Sequence, residues 1–239
     1  MKNVLIRLLM LGLLLASHNL WAGVAGQVTN LSGVLSAKRA DGSSHLLAVR
    51  SEVMEGDLLT TTADTYARIK FVDRAEVVLR PNSQLRVNAY SYNEAQPQSD
   101  NVLIGLLKGG LRALTGLIGK RNHDAVNFKT PTATIGIRGT DFGALYCNND
   151  CAGMATFSGQ TPENGLYLDV ADGAIFVQNN AGQQDYAVGQ FGFVRDATSP
   201  PVVIPPQQGV QAPVPPQVSQ ETPASSGVGH TGSVECVAQ

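Results

Sequence analysis

Short segments in which apolar and polar residues alternate, each closed by a turn-forming residue, constrain this chain to build sheets. In Tyr66-Ala67-Arg68-Ile69-Lys70-Phe71 the period of two sends Ala67, Ile69 and Phe71 to one face and Arg68 and Lys70 to the other. Glu76–Arg80, Gln84–Tyr90, Ala125–Lys129 and Leu166–Val170 repeat the pattern. Between them stand Asp41-Gly42, Glu55-Gly56-Asp57 and Pro81-Asn82-Ser83, where glycine, proline and short polar side chains favour reversals. Asp172-Gly173 reads as a hairpin turn between Leu166–Val170 and Ala174–Val177. From Asn101 to Ile118 a helix competes with strands, but Gly105, Gly109 and Gly110 disfavour a helix interior, so two strands around a Gly-Gly turn are expected. Strands this short and closely spaced predict an all-β fold, an antiparallel β-sandwich of jelly-roll type.

The ends of the chain differ from this middle. Lys2 and Arg7 precede or interrupt an apolar stretch from Val4 to Leu15, and small residues follow at Ala22 and Ala25. That order predicts a secretory signal peptide over residues 1–22, with cleavage after Ala22, or after Ala25 as the alternative. The apolar stretch is too short for a spanning helix, which takes about 20 residues. No membrane span is therefore expected in the mature protein, which is placed in the periplasm or secreted. Residues 23–197 read as one β domain. From Thr198 the composition shifts to Pro200-Pro201, Pro205-Pro206 and Pro215-Pro216 among Val, Gln and Gly. Residues 198–239 are expected to form a flexible, polyproline-like tail, either a spacer or a docking peptide.

Removing residues 1–22 takes away Lys2 and Arg7, leaving 15 of the 17 basic residues against 19 acidic ones, a formal charge of −4. Such a balance argues against general nucleic-acid binding. Cys147 and Cys151 enclose Asn148-Asn149-Asp150, a polar, turn-prone spacer. Export permits a disulfide there. A metal site would need two further ligands, which His45 and His123 do not supply by spacing, and a redox pair usually has two residues between its cysteines. Cys236 is left over, free or available to a second molecule. No cofactor is expected. Arg112, Lys120, Arg121 and His123 make a basic group around Gly116–Asn122 that either grips an anionic ligand or lies in a solvated loop. Arg138 and Asp141 flank Gly139-Thr140, either as an anion site at a sheet end or as charges that fix a turn. No Gly-x-Ser-x-Gly elbow, Walker loop, dinucleotide fingerprint or His-Glu-x-x-His is present.

One run is more specific than the rest: Thr130-Pro131-Thr132-Ala133-Thr134-Ile135-Gly136-Ile137-Arg138-Gly139-Thr140-Asp141-Phe142. Its physics is that of a scaffold. Ile135 and Ile137 alternate with small or polar neighbours, Gly139 can adopt a positive φ so that the chain folds back, and Thr140 and Phe142 restart the alternation. The run resembles the FecR signature "T-P-x-A-x-x-x-x-R-G-T-x-F", with Thr130, Pro131, Gly136, Arg138, Gly139, Thr140 and Phe142 as motif residues. Val53–Thr61 resembles that family's "V-x-x-G-D-x-L-x-T" start, Pro81-Asn82-Ser83 its "P-x-S" corner, Leu107–Leu111 its "L-x-x-G" element, and Val170–Val177 its closing pair. The likeness covers residues 24 to 195. Arg74 departs from it, standing where the family often has glycine after Asp73, and a wider turn or bulge is expected there. The resemblance implies an all-β domain beyond the inner membrane; in the namesake group such a domain passes a signal from an outer-membrane receptor to a sigma factor. With no cytoplasmic segment ahead of the apolar run, the expectation here is a stand-alone, non-enzymatic exported module that binds a protein partner or a cell-envelope polymer. The alternative is a periplasmic sensory component that acts on a sigma factor through a separate membrane protein.

Overall fold

The computed structural model describes residues 23–151, 153–210, 215 and 218. The expected signal peptide, Cys236 and most of the Pro-rich tail lie outside them. Fifteen strands follow one another: β1 (Val24–Ser32), β2 (Leu35–Lys38), β3 (Ser44–Leu47), β4 (Glu52–Met54), β5 (Leu58–Thr61), β6 (Tyr66–Phe71), β7 (Glu76–Leu79), β8 (Gln84–Ser91), β9 (Asn101–Leu114), β10 (Val126–Lys129), β11 (Thr134–Cys147), β12 (Gly165–Asn179), β13 (Gly182–Ala187), β14 (Phe191–Val194) and β15 (Val202–Ile204). A short helix, α1 (Leu117–Arg121), lies between β9 and β10. The fold is all-β. All the strands belong to one hydrogen-bonded sheet, and the pairing sorts it into two layers. The first runs β3-β2-β5-β8, then the first part of β9, β10, the first part of β11, the second part of β12, and β13. The second runs β4-β1-β6-β7, then the second part of β9, the second part of β11, the first part of β12, β14 and β15.

Three strands of 14, 14 and 15 residues, β9, β11 and β12, pass from one layer to the other. Each carries a glycine of positive φ where it crosses: Gly109 (71°), Gly139 (62°) and Gly173 (71°). A left-handed residue inside a strand leaves the ladder locally and bends it, which is the geometry of a glycine bulge. The register shifts at Arg138/Asp141 and Asp141/Phe142 mark this bulge on β11. Three expected turns are corrected here. The chain does not fold back at Gly109-Gly110, at Gly139 or at Asp172-Gly173; it bends and continues. Glycine satisfies a turn and a bulge equally well, so the local sequence does not separate them. The reversal after β12 comes at Asn179–Gly182 instead.

Between the layers the inward residues of both sheets meet. Ala67, Ile69, Val77, Leu79, Leu111, Phe142 and Leu168 come from the second layer, and Leu59, Leu85, Val87, Ile104, Ile135 and Val177 from the first; all are buried in one cluster. Phe71 of β6 stacks on Tyr90 of β8 across the layers, with ring centroids 4.4 Å apart. The Tyr90 hydroxyl donates to Asp73 Oδ1 at 2.5 Å, while Asp73 also accepts the Ala75 and Ile118 backbone N–H groups. Burial, reinforced by the neighbouring carboxylate of Asp73, pushes the Tyr90 phenol well above its ordinary pKa. Asp73 thereby satisfies a buried acid and anchors the start of α1, an arrangement in which every partner is hydrogen-bonded.

At Arg74 the expected bulge is present: the reversal Phe71–Ala75 is a three-residue loop closed by Arg74 N–H to Phe71 O at 2.9 Å and Phe71 N–H to Ala75 O at 2.8 Å, with Arg74 left-handed at φ 66°. Two further details differ from expectation. The pairing is antiparallel except for β9 with β10, which is parallel because α1 and its flanking turns carry the chain back before β10 begins. The proline-rich segment does not leave the domain at Thr198. Val202–Ile204 forms β15 beside β14, and Val210 is buried with Leu145, Cys147, Cys151 and Tyr167 in a small second cluster on the outside of the second layer.

Candidate functional site: the outer face of the second layer

Alternation along the strands of the second layer places a cross-strand row on its outer face. Arg68, Val78, Arg112, Gly143 and Asp169 are successive partners across β6, β7, β9, β11 and β12. The row is charged and partly buried. Arg112 sits between two carboxylates, with Nε 2.8 Å from Asp141 Oδ1 and a nitrogen of its fork 3.0 Å from Asp169 Oδ2. Arg68 pairs with Glu76 at 3.0 Å. Glycine at 143 leaves the space over which the Arg112 side chain reaches Asp169 on the next strand but one. Exposed ion pairs add little to stability, whereas half-buried ones fix geometry and are costly to break on one side only.

A neighbouring row consists of Tyr66, Arg80, Gly110, Leu145, Tyr167 and Phe193. Arg80 lies across Gly110, where an added Cβ would stand 3.0 Å from the Arg80 Cδ. Burial lowers the Arg80 pKa, and the nearby Tyr66 and Asp169 counter that effect. Between Arg80, Tyr66, Gly109, Leu145 and Met154 a cleft of about 360 Å³ opens to solvent, with Asp64 and Asp150 at its rim. The wall beside it is the loop after β11. Cys147 and Cys151 form the expected disulfide, with Cα atoms 5.5 Å apart. Asn148 N–H donates to Asp150 Oδ1, and Asn149 and Asn164 exchange a pair of hydrogen bonds at 2.8 and 2.9 Å. The loop is thus fastened at its base by a covalent bond and at its tip by amides.

The sequence-selected residues fall into separate places. Arg112 belongs to the charged row, and Asp141 is its partner rather than that of Arg138. Arg138 is half exposed, 3.8 Å from Asp185 and 6.0 Å from the Phe176 ring centroid. Arg121 does not join Arg112. It grips Asp100 with two nitrogens, each at 2.8 Å, donates to the Asn93 and Glu94 carbonyls, and lies over the Tyr92 ring at 4.8 Å. It therefore clamps the 93–100 loop onto α1. The hydrogen bond from Arg121 holds the Asp100 carboxyl below its ordinary pKa. His123 pairs with Asp124 at the surface, 2.9 Å away, and Lys120 is exposed on α1. The basic group read from sequence is thus divided: Arg112, Arg121 and His123 meet different carboxylates and Lys120 faces solvent.

The signature run proves to be joinery. Thr130 Oγ1 accepts the Thr132 and Ala133 N–H groups and closes, with Pro131, the turn from β10 to β11. Gly136 lies under the Phe176 ring, which an added Cβ would meet at 2.0 Å. Thr140 and Thr115 exchange main-chain and side-chain hydrogen bonds, tying β11 to the end of β9. Phe142 meets Phe128 edge-on at 5.2 Å in the core. Sequence reading missed Arg68, Arg80, Glu76 and Asp169; their outward position in alternating strands was legible, but their alignment across five strands was not.

The chain matches the FecR protein family over residues 57–176. That segment holds half of the sequence, from the Asp57 turn to the second part of β12. The chain belongs to the FecR family. Two crystal structures of a candidate anti-sigma factor from Parabacteroides distasonis are similar at 13% and 12% identity, each with a TM-score of 0.46, over 64% of this chain and 61% of theirs. The chain thus spans about three fifths of the length of those structures. A cell surface anchoring domain is similar at 24% identity over 26% of this chain and 82% of its own, with a TM-score of 0.25. No curated relative matches. Among the described residues of this FecR protein no helix is long and apolar enough to cross a membrane, and no group of three His, Cys, Asp or Glu side chains could hold a metal ion.

Proposed function

We propose that this FecR protein is an exported contact module that works in FecR-type signalling by docking a protein partner on the outer face of its second layer, and that it makes and breaks no covalent bonds in its substrate. The observation that carries the reading is the cleft beside Arg80: a mostly buried guanidinium between an aromatic ring, a bare Gly109-Gly110 backbone and the adaptable thioether of Met154. Desolvated arginine and aromatic or methionine side chains are the groups on which protein interfaces concentrate their binding energy. The half-buried ion pairs around it hold the face in one geometry, and the disulfide holds its wall. Location in the periplasm is part of the proposal and rests on the charge and apolar pattern of residues 1–22. The test is affinity capture from periplasmic extract with the mature protein and with a Lys108→Glu/Asp64→Asn variant at the cleft rim. Lys108 is half exposed beside Asp150, and asparagine tolerates the positive φ of residue 64. A discrete protein recovered by the wild type and lost by the variant supports the reading. Equal recovery by both, or capture of the protein at the membrane through an uncleaved first segment, contradicts it.

A further inference from the structure

The outer face of the second layer carries a second concavity, at the end remote from β6, that the contact surface does not use. Its floor is Tyr167 of β12 and Phe193 of β14, cross-strand partners whose rings are 4.8 Å apart. One wall is β15, through Val202 and Ile204; the other is the 156–163 loop; Gln208 stands at the end. The groove holds about 630 Å³, within the size range of small-ligand sites. Phe193, Arg195, Val202, Ile204 and Gln208 all lie beyond the family-matched segment.

We propose that this groove binds a neutral saccharide chain. Three observations point there. Its charged residues, Glu163 and Arg195, stand 3.4 Å apart and offset one another, so the groove favours neither an anionic nor a cationic polymer. The remaining polar groups, among them Gln160, Thr161 and Gln208, are amides and hydroxyls that both donate and accept, which is what a ring of sugar hydroxyls requires. The half-buried Phe193 ring, backed by the buried Tyr167 and with the Arg195 guanidinium 6.0 Å from its centroid, offers an apolar edge for the C–H face of a pyranose. The walls are held before any ligand arrives: Phe157 N–H donates to Gly209 O at 3.1 Å, Ser158 N–H to Gln207 O at 2.9 Å, and Glu163 N–H to the Tyr167 hydroxyl at 2.8 Å. Preorganisation of this kind lowers the entropy cost of binding. These bonds also engage the main-chain donors of the loop with the facing segment, leaving recognition to side chains. That arrangement suits a saccharide better than an extended peptide, which binds chiefly through main-chain ladders.

The experiment is a calorimetric and NMR titration of the mature protein with maltotetraose, cellotetraose and tetra-N-acetylchitotetraose. An oligogalacturonate and a synthetic peptide of sequence 211–218 serve as competing classes. The expected result is saturable binding of at least one neutral tetrasaccharide with Kd of about 0.1–1 mM, shifting resonances of Phe193, Gln160 and Gln208. A Gln160→Ala/Gln208→Ala variant should bind about tenfold more weakly, the loss of two modest hydrogen bonds, with an unchanged melting temperature. The proposal is overturned if no neutral tetrasaccharide binds at millimolar concentration, if binding survives the double substitution, or if the peptide or the charged oligomer occupies the groove instead. Both substitutions leave the cleft beside Arg80 intact, so this outcome is independent of partner docking there.

Discussion

Gly139 and Gly173 have nearly the same backbone conformation, φ 62° and 71°, and face each other where β11 and β12 cross between layers. Alanine at the two positions should nevertheless behave differently. At Gly139 nothing lies within 4 Å of an added Cβ. The substitution then costs only the left-handed strain of an L-residue, about 1–2 kcal/mol, less about 0.4–1 kcal/mol recovered from the narrower unfolded ensemble. A net loss of about 1 kcal/mol follows. At Gly173 the added Cβ would stand 2.0 Å from the Gly139 carbonyl oxygen, against 3.4 Å or more for an ordinary contact. Neither atom is the end of a flexible side chain, so the two strands must separate at the crossing. Overpacking of about 1–3 kcal/mol and a weakened ladder bond of about 1 kcal/mol add to the strain. Less the same recovery from the unfolded ensemble, the expected loss is about 2–5 kcal/mol. Urea unfolding followed by far-UV circular dichroism measures both, and Trp21 falls in the expected leader, so no tryptophan signal is needed. If the two variants unfold within about 0.5 kcal/mol of each other, the bent-strand account of the crossing is wrong.

Arg74→Gly should stabilise the protein by about 0.5–1 kcal/mol, because the exposed arginine holds φ 66° in a tight turn that glycine adopts without strain; a lower urea midpoint than wild type would refute this. The folded Asp100 carboxyl titrates below its unfolded value, so its bond to Arg121 contributes fully above about pH 4 and fades as pH falls through the depressed folded value. Asp100→Asn should therefore lower stability near neutrality, and its gap from wild type should close in acid; a pH-independent gap measured by urea titration at several pH values would count against the clamp. Replacing both Cys147 and Cys151 by serine should cost about 1–2 kcal/mol, as expected for so short a closed loop, and should speed proteolysis within 148–164 while leaving the main core resistant. Unchanged cleavage there would mean that the amide contacts alone hold the wall.

Much of the strand content was legible from alternation. Tyr66–Phe71 is β6 as read, and Ala67, Ile69 and Phe71 are buried as their period requires. The Cys147–Cys151 disulfide was legible from spacing and the expectation of export. Glycine misled at Gly109, Gly139 and Asp172-Gly173, since positive φ is the shared requirement of turns and bulges and only the pairing of distant strands chooses between them. The bulge expected at Arg74 was legible from its departure from glycine; the tertiary contacts of Asp73 with Tyr90 and Ile118 hold that turn and impose the unfavourable φ on arginine. The charged row escaped because its members are far apart along the chain; Arg112 and Asp169 are separated by 57 positions. The basic group around Gly116–Asn122 looked continuous in sequence, yet α1 and the crossing of β9 direct Arg112, Arg121 and His123 to different carboxylates and leave Lys120 exposed. Prolines 200, 201 and 205 suggested a departing tail, but prolines also suit an edge, and β15 is the last strand of its layer.

The central claim is that the outer face of the second layer is where this FecR protein meets its partner. Hydrogen exchange of the mature protein, alone and in complex with the protein recovered by affinity capture, tests it most directly. The account predicts slowed exchange in residues 64–66, 80–82, 108–112 and 145–154, with β2, β3 and β5 of the first layer unchanged. Protection concentrated on those first-layer strands, with the Arg80 cleft exchanging as freely as before, would contradict it.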